Sequence, residues 1–151
     1  MSLLLRPARM SDAKLLFDWA NDPSVRKTAK NMALITWDTH VKWLQKKLDS
    51  LDLTRLFIAM DKDQNLVGQI RFDKDAQTVI LDYSICSEYR GKGFGTKILM
   101  EGFETISQLW PFEKVVAIVR INNPASQRAL LNAGFTLFDH GPIYLKYSKS
   151  K

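Results

Sequence analysis

Residues 90–99 read Arg-Gly-Lys-Gly-Phe-Gly-Thr-Lys-Ile-Leu, with three glycines at alternate positions between a strand-like run and a helix-like run. Glycines at these positions allow positive φ and close approach to the backbone. The N-terminus of the following helix presents free N–H groups and favours negative charge. The pattern therefore predicts a loop that binds the phosphates of a cofactor or substrate, with Arg90 and Lys92 near the anion.

Two common phosphate-binding loops do not fit these residues. A Walker loop needs Ser or Thr after Gly-Lys, whereas Gly93 follows Lys92. A dinucleotide-binding fingerprint needs Gly three residues after its second Gly, and Thr96 occupies that position. The pattern that remains is Arg90-x-x-Gly93-x-Gly95. A tight strand-to-helix turn that binds no ligand is the alternative interpretation.

A second block of residues, in the C-terminal half, helps to decide between these two interpretations of the loop. It contains Asn123 and Ser126, followed eight residues after the Ser by Gly134-Phe135. A short β-branched run at residues 114–119 lies between the two blocks and predicts a strand. Together the two blocks resemble the GNAT superfamily of N-acetyltransferases, and the resemblance covers nearly the whole chain.

The resemblance implies that acetyl-CoA is the co-substrate and that the loop backbone holds its pyrophosphate. The strand before the loop would run beside pantetheine and splay from the strand at residues 114–119, leaving a slot for the thioester. The residues expected to contact the cofactor are Ser84, Ile85, Arg90, Gly91, Lys92, Gly93, Phe94, Gly95, Thr96, Asn123 and Ser126. For Asn123 the alternative is a plain helix N-cap before Pro124.

The resemblance also suggests how the acetyl group would be transferred. In this family a backbone N–H of the splayed strand polarises the carbonyl, here at Ile85 or Cys86. Many members carry a Tyr acid four residues before the Gly of Gly-Phe, but this chain has Leu130 there. The proton for the departing thiolate must then come from Tyr83, Tyr144 or water.

The candidate base is a carboxylate close to the slot in sequence. Asp82 lies on the strand itself, although strand alternation places it on the face opposite Tyr83. The predicted catalytic residues are therefore Asp82, Tyr83 and Cys86. Neutralising a Lys with a pKa of ~10.4 at pH 7 costs about 4–5 kcal/mol, whereas an amine of pKa ~8 costs roughly 1.4 kcal/mol. A site with so few candidate acids and bases favours an acceptor with a weakly basic amine, on a sugar or at a peptide N-terminus.

The first fifty residues are expected to build the acceptor pocket, with Arg26, His40 and Trp43 as substrate-binding residues. They resemble GNAT enzymes that acetylate nucleotide-linked amino sugars, notably at the 4-amino sugar step of pseudaminic acid synthesis. The alternatives are core packing for Trp43 and internal bonds for Arg26 and His40. A ribosomal-protein type N-terminal acetyltransferase is the alternative enzyme, and a non-catalytic acyl-CoA-binding module is the alternative class.

Composition limits the other possibilities. The 151 residues predict one domain, 1–151. The single cysteine, Cys86, excludes an intramolecular disulfide and favours a cytoplasmic protein. No metal site is expected, and no apolar run approaches the ~18 residues of a membrane span. The net charge of +6 is spread evenly, which suits an anionic small molecule and not nucleic acid. A homodimer is possible.

The periodicities predict an α/β protein with a sheet of mixed direction, and the resemblance implies the GNAT fold, a mixed and mostly antiparallel sheet with a splayed central strand pair and flanking helices. Helices are expected after Thr36, from Thr96 and after Asn123, with a short turn at residues 25–30. Two strands near the C-terminus are expected to pair around Gly141. Residues 146–151 are expected to be a solvated terminus.

Overall fold

The computed structural model describes residues 2–151, and its seven strands form one sheet in the order β1-β2-β3-β4-β5-β7-β6. The strands are β1 Leu4–Pro7, β2 Thr54–Met60, β3 Leu66–Asp75, β4 Thr78–Ile85, β5 Lys114–Arg120, β6 Thr136–His140 and β7 Tyr144–Ser150. The helices are α1 Ala13–Ala20, α2 Pro23–Thr28, α3 Trp37–Leu48, α4 Phe94–Leu109 and α5 Pro124–Asn132, with 3-10 turns at Met10–Asp12 and Ser87–Tyr89.

The sheet is antiparallel except at its centre, where β4 and β5 are parallel. A parallel pair needs a long crossover, and the loop at residues 86–93 followed by α4 supplies it. The expected α/β class and the mixed, mostly antiparallel sheet are confirmed.

The two parallel strands part soon after they meet. Their register runs only from Thr78↔Lys114 to Leu81↔Ala117. Residues 82–85 of β4 and 118–120 of β5 lie beyond the last pair, so the two strands diverge toward the end of β4 that leads into the glycine loop. The predicted splayed pair is therefore present, and it opens a slot in the middle of the sheet.

Alternation along the strands divides the core into two layers. Val79 and Leu81 of β4 pack with Ile98 and Leu99 of α4 on one face. On the other face, residues of β2 pack with the helices α1 and α3, and Leu44 is fully buried there. Strand β2 therefore presents alternate side chains to two different helical layers, and the same alternation gives the slot two distinct sides.

Local boundaries depart from the sequence predictions in three places. The turn expected at residues 25–30 is the helix α2, because Asp22 caps it and Pro23 begins it. Helix α4 starts at Phe94, two residues before Thr96. The C-terminal lysines do not form a solvated end, because β7 continues to Ser150 and Lys149 Nζ donates to the carbonyl of Ala133 at 2.9 Å.

The close approach of β3 to the end of β4 predicts a stability effect. A Cβ atom on Gly68 would overlap the backbone carbonyl oxygen of Ser84, which cannot move without shifting the strand. We expect Gly68→Ala to lower the free energy of unfolding by about 1–3 kcal/mol, measured by urea denaturation. Gly95→Ala is the matched control, because its Cβ would make ordinary contacts of 3.5 Å or longer. Equal stability of the two variants would contradict the prediction.

Candidate active site

The glycine loop ends in a helix N-terminus. Gly91 and Gly93 have φ values of +73° and +85°, and Gly93 is the N-cap of the 16-residue helix α4. The N–H groups of the first helical turn have no acceptor within the helix. A Cβ atom on Gly91 would meet nothing within 4 Å, so the outer side of the loop is open. Free amides, an open approach and the helix dipole together can bind an anion.

The direction of the backbone at the end of β4 identifies the group that can polarise a carbonyl in the slot. The N–H of Cys86 donates to the carbonyl of Val67 in β3 at 2.9 Å. Backbone groups of neighbouring residues in a strand point to opposite sides, so the N–H of Ile85 points toward the slot. The expectation for Cys86 is thus corrected, because its N–H is already bonded, whereas Ile85 has the required direction.

The thiol of Cys86 lies 3.7 Å from the carbonyl oxygen of Leu66. Burial raises its pKa, so the group is an uncharged thiol at neutral pH and a poor nucleophile. Within residues 2–151 no cluster of three or more His, Cys, Asp or Glu side chains could hold a metal ion. Over the same residues, no helix is long and apolar enough to cross a membrane.

Two hydroxyl groups meet on the α5 side of the slot. The hydroxyl of Tyr83 lies 2.8 Å from Oγ of Ser126, in the first turn of α5. Burial raises the pKa of Tyr83, so its phenol keeps its proton at neutral pH. Oδ1 of Asn123 accepts from the N–H of Ser126 at 3.2 Å, so its N-cap role is present. Leu130, where the family often has Tyr, is fully buried.

The sheet face opposite Tyr83 carries a charged network, which is centred on Asp73 of β3 and extends through Arg71 to the start of the slot. Asp73 accepts hydrogen bonds from Thr54 at 2.8 Å, Lys47 at 3.0 Å and Arg71 at 2.9 Å. Burial alone would raise the pKa of Asp73, but the cations lower it below its usual value. The guanidinium of Arg71 also lies 5.2 Å from the centroid of the Trp43 ring. Lys47 and Arg71 are therefore held by protein partners.

Asp82 lies at the edge of this network, one residue past the last β4–β5 pair. Its Oδ2 accepts from Gln69 Nε2 at 3.2 Å and lies 3.8 Å from Arg71. The side chain remains 55% exposed. Gln69 also donates to Ser84 Oγ at 3.2 Å, so Ser84 shares this face. Asp82 is thus a carboxylate that is positioned through one oxygen and open to solvent.

The three predicted acceptor residues have different surroundings. His40 is only 3% exposed and its Nε2 donates to the carbonyl of Ala13 at 2.8 Å. Burial lowers its pKa, so a neutral, enclosed ring has no charge to offer a diphosphate, and the expectation for His40 is corrected. Trp43 is half-buried against Arg71. Arg26 donates to backbone carbonyls of Ala20 at 2.7 Å and Asn31 at 2.9 Å.

Sequence reasoning missed one contact that joins the two ends of the site. Arg90, at the start of the glycine loop, donates from NH2 to Oδ2 of Asp22 at 3.1 Å and from Nε to the carbonyl of Ile85 at 2.9 Å. A contact between residues 68 positions apart has no local signal in the sequence. Lys92, by contrast, extends over the half-buried ring of Tyr89.

Comparisons with known proteins agree with this architecture. A profile described as an acetyltransferase (GNAT) domain matches residues 2–136. Among proteins with curated descriptions, none matches the sequence. Aminoglycoside acetyltransferase AAC(6')-Ib, solved with coenzyme A and kanamycin, is similar in structure, with a TM-score of 0.85, 17% identity, and coverage of 99% of this chain and 95% of that one.

Two further solved structures are similar over almost their whole length. Spermidine N-acetyltransferase from Vibrio cholerae, in complex with CoA and spermine, has a TM-score of 0.81 at 18% identity, with coverage of 99% of this chain and 95% of that one. RimL, a ribosomal α-N-protein acetyltransferase in complex with coenzyme A, has a TM-score of 0.84 at 14% identity, with coverage of 99% and 94%. At these identities the likeness shows the fold, while the profile match shows the family. The chain belongs to the GNAT family of acetyl-CoA-dependent N-acetyltransferases.

Proposed function

We propose that this acetyltransferase acts on a weakly basic primary amine carried by a small anionic molecule. The first candidate is the 4-amino group of a nucleotide-linked sugar, as in pseudaminic acid synthesis. The acetyl group would come from acetyl-CoA, which would lie along the splayed end of β4 with its pyrophosphate bound by the backbone amides of residues 90–96. The observation that supports this choice of acceptor is the positive charge around the opening of the slot.

Two arginines near the opening keep uncompensated charge. Arg26 bonds to the carbonyls of Ala20, Asn31 and Ala33, and Arg120, at the end of β5, bonds to the carbonyls of Ala29 and Lys30. Within residues 2–151 no carboxylate lies within 4.0 Å of either guanidinium. A carbonyl leaves the net charge of an arginine in place, so the opening attracts anions and repels polycations.

The similar structures include enzymes named for spermidine and for aminoglycosides, and this chain lacks the charges for acceptors with many amines. Such acceptors require several free carboxylates. Asp73 is bonded to Lys47 and Arg71, and Asp22 is bonded to Arg90, whereas Asp82 remains 55% exposed beside Arg71. One carboxylate is enough to receive one proton from one amine.

The proposed reaction uses the two sides of the slot separately. Bound acetyl-CoA supplies the thioester. Asp82 accepts a proton from the acceptor ammonium, directly or through water, and the neutral amine attacks the acetyl carbon. The N–H of Ile85 hydrogen-bonds the carbonyl oxygen as the N–C bond forms. The C–S bond breaks, the nitrogen releases its second proton to solvent, and Tyr83, bonded to Ser126, gives its proton to the thiolate. The phenolate of Tyr83 is then reprotonated from solvent, and Asp82 releases to solvent the proton that it accepted.

The loop assignment predicts a loss of CoA affinity when Gly93 gains a side chain. Positive φ costs a residue with a Cβ about 1–2 kcal/mol, so the loop amides should turn away from the anion in Gly93→Ala. We expect the Kd for CoA, measured by calorimetry, to rise about tenfold or more.

Gly134→Ala is the matched control, because Gly134 has φ of +91° at the far end of α5. Both variants should lose similar stability, but only Gly93→Ala should lose CoA affinity. An unchanged Kd in Gly93→Ala would refute the loop assignment.

The acid assignment predicts a turnover defect without a binding defect. Tyr83→Phe removes the proton and keeps the ring, so kcat should fall on the order of 10²-fold while the Kd for CoA is unchanged. Tyr144→Phe is the control, because that ring lies under Arg120 at 5.3 Å. Wild-type kcat in Tyr83→Phe would assign the proton to water or another group.

Acceptor assays separate this proposal from the alternative of a ribosomal-protein type N-terminal acetyltransferase, with which Leu130 is consistent. We expect CoA release with a UDP-linked 4-amino sugar to exceed that with N-terminal peptides and with spermidine. Raising the salt concentration should increase the KM for the sugar nucleotide, because screening weakens the attraction of Arg26 and Arg120. Faster CoA release with a peptide than with the sugar nucleotide would indicate a protein acceptor and contradict the proposal.

A further inference from the structure

Residues 21–36, here called the strap, connect α1 to α3 and cross from the end of β4 to the end of β5. The strap includes α2 and an irregular stretch, residues 29–36. At one end, Asn21 exchanges two hydrogen bonds with the backbone of Ile35, at 2.8 and 2.9 Å. These bonds close the strap into a loop of fixed length.

The strap is bonded to both strands that frame the slot. Arg120 at the end of β5 donates to the carbonyl of Ala29 at 3.0 Å. Arg90, which follows β4, is bonded to Asp22 at 3.1 Å. Because β4 and β5 have parted here, the strap closes the side of the sheet that the strands leave open.

Asp22 divides its two oxygens between two structures. Oδ1 accepts from the N–H of Ser24 at 2.8 Å and so caps α2, while Oδ2 accepts from Arg90. Arg90 in turn donates to the carbonyl of Ile85, the residue whose N–H points into the slot. One continuous series of hydrogen bonds therefore runs from the strap through Asp22 and Arg90 to the end of β4.

We infer that Asp22 is a positioning residue that couples the cofactor loop to the acceptor side of the enzyme through Arg90. The inference rests on the proposed function, since it takes residues 90–96 as the CoA loop. Arg90 is then a connection between the loop and the strap, and the pyrophosphate is bound by backbone amides and not by this guanidinium. CoA binding, by ordering the loop, also orders the strap.

Asp22→Asn isolates this connection. Asparagine caps a helix as well as aspartate does, so α2 keeps its cap while the charge facing Arg90 is lost. Without ligand, amide hydrogen exchange in residues 24–34 should be about three- to tenfold faster than in wild type. Adding CoA should slow exchange in these residues in wild type and have a much smaller effect in Asp22→Asn. Asp18→Asn, which removes an exposed pair with Lys14, is the matched control and should behave as wild type.

Arg90→Gln completes the test. It should accelerate exchange in the strap as Asp22→Asn does, and the double variant should add nothing further, because both changes remove the same contact. The Kd for CoA should change less than about threefold in both single variants. A tenfold loss in Arg90→Gln, tighter CoA binding in Asp22→Asn, or equal CoA protection of the strap in Asp22→Asn and wild type would overturn the inference. If wild type failed to bind CoA, the proposed function would fall, while the ligand-free exchange rates would still test the contact itself.

Discussion

The early parting of β4 and β5 is the constraint on which the rest of the site depends. Two adjacent strands that stop pairing leave backbone N–H and C=O groups without sheet partners, and burying such groups unbonded is costly. Here the carbonyl of Ile85 on the open side accepts a hydrogen bond from Arg90. The N–H of Ile85, which points into the slot, remains available to a ligand. The slot is therefore a gap in the sheet whose backbone groups are bonded in part by Arg90 and, in the proposed function, in part by the ligand.

Strand alternation then gives the slot two chemically different sides. Tyr83 faces the helical layer of α4 and α5, where it packs near Gly95 and meets Ser126. Asp82 faces the other way, toward the network of Arg71 and Asp73. In the proposed function, the neutral hydroxyls protonate the thiolate and the charged side receives the ammonium. One strand would then separate acid from base by the period of its side chains.

Local patterns in the sequence predicted the loop and the strands, and the family resemblance supplied the splayed pair. Positive φ at Gly93 and the N-cap at Asn123 depend on a few adjacent residues, so their types suffice. The environment of a side chain is harder to predict: the sequence suggested His40 as a substrate-binding residue, but only the packing of α1 against α3 shows that its ring is enclosed. The hydrogen bond between Asp22 and Arg90 is harder still to predict. The two residues lie 68 positions apart, and the spacing of residues within one element says nothing about such a contact.

The uncompensated charges of Arg26 and Arg120 also bear on the weakness of the base. A nearby positive charge favours the neutral form of an amine, so it lowers the pKa of an ammonium brought to the opening of the slot. In the proposed function, positive charge near the amine would therefore reduce the work left to Asp82. An acceptor whose own anionic groups bind these arginines would bring its amine to the slot already oriented. The few free carboxylates and the two arginines without a carboxylate partner would then act together. Positive charge near the amine favours its neutral form, and one exposed acid accepts its proton.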